Sequence, residues 1–101
     1  MIFEEEEDTL RCVFSGDLDS QLCGDLEAPL SDKVAGFMKN RDVTYLIFDL
    51  TDVRYICSAF LRLCLFHCKA VGSRNFRIEN PSSEVNRVFQ IAGFTEIMNI
   101  V

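Results

Sequence analysis

Leu10, Cys12 and Phe14 alternate with Arg11, Val13 and Ser15, the two-residue period of a strand with one buried face. Gly16-Asp17 is expected to break that strand. Ile2 to Glu6 lies a tight turn upstream and can pair with Leu10 to Ser15 as an antiparallel hairpin. Further on, Leu22, Leu26, Leu30, Val34 and Met38 recur at every fourth position, the stripe of an amphipathic helix that Asp19 or Ser20 can cap. Pro29 removes one helical hydrogen bond and predicts a kink or a restart, and the helix should stop near Asn40.

Tyr45 to Leu50 is a nearly continuous apolar run of strand-forming residues, the pattern of a central strand covered on both faces. Thr51-Asp52 follows, and then a second helix from about Ser58 to Val71, ended by Gly72. Phe76 to Glu79 reads as a short strand. Asn80-Pro81-Ser82-Ser83 is a turn into a third helix, with Val85, Val88, Phe89 and Ala92 inward and Gly93 as its stop. Ile97 to Val101 is left as a last short strand or helix. Strands alternating with helices imply parallel pairing with helical crossovers. The expected fold is therefore an α/β domain spanning 1–101, with a small mixed sheet of four to five strands and helices packed mainly on one face.

Composition narrows the function more than the fold. A chain of 101 residues, about half of them apolar, suffices for one core. The net charge of −6 argues against a nucleic-acid partner. Much of the acidic excess lies in Glu4-Glu5-Glu6-Glu7-Asp8, read as a solvated edge strand or turn, with an acidic contact surface as the alternative. Met1-Ile2-Phe3 leads straight into acids without the pattern of a secretory signal, and Arg62, His67 and Lys69 interrupt the apolar segment from Tyr55 to Val71. A cytoplasmic protein without a membrane span is expected. Five cysteines, an odd number without paired spacing, fit free thiols in a reducing compartment.

The candidate chemistry gathers at Ile56-Cys57-Ser58-Ala59-Phe60-Leu61-Arg62, where an apolar strand passes into an apolar helix. A helix start leaves backbone N–H groups unpaired and carries a partial positive charge that favours a phosphate. The Ser58 hydroxyl is thus placed both to cap the helix and to accept a phosphate, and the residues alone leave both roles open.

The order of elements and their residues resembles the STAS family, the domain of bacterial anti-sigma-factor antagonists. The resemblance covers nearly the whole chain. It rests on Ser15-Gly16-Asp17-Leu18-Asp19, on Leu46-Ile47-Phe48-Asp49-Leu50 followed by Val53, and on Ile56-Cys57-Ser58-Ala59. Asn80-Pro81-Ser82 through Val88-Phe89, and Ala92-Gly93-Phe94, complete it. The resemblance implies that Ser58 accepts a phosphate from a serine kinase that is also the anti-sigma factor. The unphosphorylated domain would bind that kinase and the phosphorylated domain would release it. Asp19 matches an acidic family position beside the phosphorylation site. The implied contact face comprises Asp17, Asp19, Cys57, Ser58, Ala59, Phe60 and Arg62, on a non-enzymatic protein without cofactor or metal. A homodimer stays open.

Two residues depart from the family pattern. Cys57 stands where an acidic or small polar residue is frequent; as a poor cap, it should leave capping to the Ser58 hydroxyl. Phe60 stands where glycine is frequent, and its ring is expected either to obstruct a kinase shaped for glycine or to anchor a different partner. The rival function is a constitutive STAS-type scaffold or subunit of a signalling or transport assembly, with Ser58 serving only as a cap.

Other constellations carry less. Cys64, His67 and Cys68 offer metal-ligand types, but at i, i+3 and i+4 on one helix they cannot easily converge on one ion. They read as small buried groups with His67 at the edge of the face, and Leu61, Leu65 and Phe66 as core. A Cys57–His67 nucleophile pair fails because His67 lies about three turns along the same helix, roughly 15 Å away. Asp49 and Asp52 lack the second acidic cluster that a magnesium site would need, and no glycine-rich nucleotide loop is present.

Overall fold

The chain opens with the expected hairpin in the computed structural model, which describes residues 1–101. Strand β1 (Ile2–Glu6) pairs antiparallel with β2 (Thr9–Leu18), Glu6 opposite Thr9. Helix α1 (Ser20–Met38) then crosses to β3 (Tyr45–Ile56), and α2 (Ser58–Val71) crosses to β4 (Phe76–Glu79). Helix α3 (Ser83–Ile91) leads to β5 (Asn99–Ile100). The five strands lie in sequence order, with β3 at the centre and every pairing after the hairpin parallel. The acidic run forms the edge strand β1 and its turn.

One cluster of buried side chains joins a single sheet face to all three helices. Leu10, Cys12, Phe14, Leu46, Phe48, Leu50, Phe76 and Ile78 meet Leu30 and Val34 of α1, Phe60 and Leu63 of α2, and Val85 and Phe89 of α3. The opposite face is open, so β3 is not covered on both faces as its apolar run implied. Its one buried apolar residue there, Ile47, pairs in register with Arg11 on one side and Arg77 on the other. The alkyl stems of those arginines can shield it while their charged heads stay outside. Arg11 bonds Asp49 at 3.1 Å and Glu79 at 2.6 Å across the three central strands. The oxygens of Asp49 are thereby committed, Oδ2 to Arg11 and Oδ1 to the Thr51 amide and hydroxyl.

Several boundaries shift for identifiable reasons. Gly16-Asp17 does not end β2; the strand continues to Leu18 through two register irregularities, with Gly16 at φ +82°. Its partner β3 correspondingly runs past Leu50 to Ile56. Helix α1 runs unbroken through Pro29, where the lost hydrogen bond falls on an exposed part of the helix. Its buried face is Cys23, Leu30, Val34 and Phe37, while Leu22, Leu26 and Met38 are only partly buried. In α3, Val85 and Phe89 are buried, but Val88 and Ala92 are exposed.

Candidate functional site

Because β2 and β3 are parallel neighbours with Leu18 opposite Ile56, the two strand-to-helix junctions lie side by side. Asp19 and Ser20 begin α1 next to Cys57 and Ser58, which begin α2. The contact between the junctions is direct: Ser20 Oγ lies 3.9 Å from Cys57 Sγ.

Asp19 is the N-cap of α1, and its carboxylate accepts a hydrogen bond from Leu22 N at 2.9 Å. Asp17 is exposed and pairs with Arg54 at 3.3 Å, on the solvent side of the same strand ends. The α2 start differs from the expectation. Cys57, not Ser58, takes the N-cap position, at φ −124° and ψ 178°, and makes no side-chain capping bond. Ser58 is the first helical residue, is exposed, and its hydroxyl makes no hydrogen bond within the chain. The first turn of α2 carries no acidic residue, so nothing there already offsets the helix-start charge.

Phe60 lies inside the domain, not on its surface. Its ring is 0% exposed and meets the Phe14 ring edge-on at 5.2 Å, with Phe48 at 6.1 Å. It can neither obstruct a kinase nor anchor a partner, because it is core. The exposed aromatics near the site are Phe66, 61% exposed, and Tyr55, 51% exposed. Phe66 was expected in the core; instead it borders a groove of about 380 Å³ between α1 and α2. Ser20, Cys23 and Glu27 line one side and Ala59, Arg62 and Phe66 the other. The groove residues of α1 and Phe66 are absent from the face expected from sequence. The signal for Phe66 was available: Phe60, Leu63, Cys64 and His67 form an i, i+3, i+4, i+7 stripe that turns Phe66 outward.

His67 also departs from expectation, being 1% exposed rather than at an edge. It packs against the rings of Phe48 and Phe66, and neither ring nitrogen finds a partner. Burial depresses its pKa to about 4, so it is a neutral core ring at ordinary pH.

A family model of the STAS domain matches residues 3–101. The chain belongs to the STAS domain family. No curated protein matches the sequence. Among solved structures, this STAS domain is similar to the anti-sigma factor antagonist SpoIIAA in its unphosphorylated form. The TM-score is 0.77 at 21% identity, covering 99% of this chain and 86% of that one. An anti-sigma factor antagonist from Mycobacterium paratuberculosis gives 0.81 at 19% identity, covering 98% and 81%. The Bacillus cell fate determinant SpoIIAA in its phosphorylated form gives 0.66 at 21%, covering 99% and 91%. These likenesses establish that the STAS domain here has the fold of those antagonists. No helix is long and apolar enough to cross a membrane.

Proposed function

We propose that this STAS domain is a non-enzymatic binding switch of the anti-sigma-factor-antagonist type. Its partner would be a serine-kinase anti-sigma factor, and phosphorylation of Ser58 would end the complex. The observation that carries this reading is the Ser58 hydroxyl, exposed at the first position of α2 and unspent on any hydrogen bond. A phosphate there would add a charge of about −1.5 to −2. The helix start tolerates that charge within the domain, since first-turn N–H groups point toward it. The partner surface pressed against it would be repelled, provided it is acidic. Binding would change while the fold would not.

The proposed contact face comprises Asp17, Asp19, Cys57, Ser58, Ala59 and Arg62, with Tyr55 and Phe66 added and Phe60 removed. The scaffold reading draws on one observation of its own, the large exposed ring of Phe66 beside this face, which would suit a permanent interface. The two readings separate on Ser58→Asp. As a switch, Ser58→Asp weakens binding to the cognate kinase, Ser58→Ala binds like wild type, and incubation with that kinase and ATP places one phosphate on Ser58. Equal affinities for all three forms, with no phosphate on Ser58, would leave the scaffold.

A further inference from the structure

The junction holds a second nucleophile, which lies in the proposed contact face but is not the group that takes the phosphate. Cys57 sits half-buried at the N-cap of α2 with Ser20 Oγ at 3.9 Å. Cys23 lies one helical turn beyond Ser20 on α1, and its thiol donates to Leu18 O at 3.7 Å. Leu18 is the register partner of Ile56, the residue bonded to Cys57. Two independent paths, one through α1 and one through the sheet, therefore bring Cys23 and Cys57 to the same corner of the domain. Cys57 is only half-buried, which gives a small solute a way to its sulfur, whereas Cys23 is buried where α1 borders the α1–α2 groove.

We propose that Cys57 and Cys23 form a reversible dithiol–disulfide couple that is oxidised by hydroperoxides. Cys57 is the attacking sulfur and Cys23 the resolving one. Partial burial pushes the Cys57 thiol up, but the backbone N–H groups of Phe60 and Ala59, the Ser20 hydroxyl and the Cys23 thiol outweigh it. The net effect holds the group below its ordinary value. Burial is the main cause that pushes Cys23 up to about 11, so it waits as a thiol. The other three cysteines, Cys12, Cys64 and Cys68, are buried in the core, and burial raises all three thiols.

The chemistry balances without any further reactant. The Cys57 thiolate attacks the terminal oxygen of the hydroperoxide; the O–O bond breaks, and the departing alkoxide or hydroxide takes up a proton from solvent. Cys57 is now a sulfenic acid. The Cys23 sulfur attacks it, the S–O bond breaks, and the hydroxide leaves with the Cys23 proton as water. Two thiols have lost two electrons and one peroxide bond has gained them. A dithiol reductant reverses the product. This couple is independent of Ser58 phosphorylation, so either can fail without the other.

The test treats the reduced full chain with low equivalents of hydrogen peroxide, alkylates the remaining thiols and maps the peptides by mass spectrometry. The expected product has lost two hydrogens, joins the Cys23 and Cys57 peptides within one chain, and returns to the starting mass with dithiothreitol. Cys23→Ser should stop at a Cys57 sulfenic acid that dimedone traps. Cys57→Ser should survive the same dose unoxidised. Oxidation of Cys12, Cys64 or Cys68 as fast as Cys57, or a Cys57 linked to any cysteine other than Cys23, would overturn the proposal. The wild-type peptide map decides this even where a variant folds poorly.

Discussion

The two junctions at the ends of β2 and β3 share a backbone and differ in how they finish their helices. Asp19 and Cys57 are both extended N-caps with ψ 178°, side by side on neighbouring parallel strands. Asp19 closes its helix with a carboxylate bond to Leu22 N, as Ser82 closes α3 with a hydroxyl bond to Val85 N at 3.1 Å. Cys57 closes nothing, and the residue after it keeps its hydroxyl in solvent. Two of the three helices use a polar cap for stability, while the third leaves that stabilisation unclaimed and presents Ser58 instead. A polar residue at a helix start is a part of the fold when it is bonded and a candidate for function when it is not.

The largest expected effect lies just beneath the open junction. Phe60→Ala removes a ring packed against Phe14 and Phe48 and should cost about 3–5 kcal/mol in denaturant unfolding. A loss below about 1 kcal/mol would mean that the first turn of α2 is not anchored by its core side, and that Phe60 is free to meet a partner after all.

The helices also differ in what they bury. The inner stripe of α2 carries His67, unpartnered and with its pKa lowered to about 4 from 6.5. As pH falls from 6.5 toward 4, the unfolded chain takes up a proton that the folded imidazole refuses, so this residue's contribution to stability is lost across that window. His67→Leu should flatten the fall in unfolding free energy between those pH values. It should also stabilise the domain at neutral pH by about 1 kcal/mol, since two orphaned ring nitrogens leave the core. An unchanged pH slope would show that His67 titrates normally, which requires solvent to reach it.

Much of this was legible in the chain. The alternation of Leu10, Cys12 and Phe14, the apolar run from Tyr45, and the Asp19 cap are local patterns, and local physics decided them. The ends of β2 and β3 were not, because each extends only by pairing with the other through irregular register, a contact far apart in sequence. The open sheet face was hidden for a similar reason: Ile47 reads as covered by a helix but lies between two arginines that alignment along the chain does not reveal. At the site, the sequence located Ser58 correctly at the junction. It assigned the cap to the wrong residue, because cap preference follows side-chain chemistry whereas the N-cap position follows where the strand pairing ends. Phe60 and Phe66 were exchanged because α2 is apolar on most of its surface, which blurs its stripe.

The direct test of the open junction sets Asp19→Ala against Ser58→Ala in the same denaturant series. Asp19→Ala removes a formed cap and should lose about 1 kcal/mol. Ser58→Ala removes a hydroxyl that makes no bond and should stay within about 0.5 kcal/mol of wild type. That outcome leaves Ser58 free of any duty to the fold. A loss at Ser58 equal to that at Asp19 would contradict it, because the hydroxyl would then be the cap of α2 and not a site held open for phosphate.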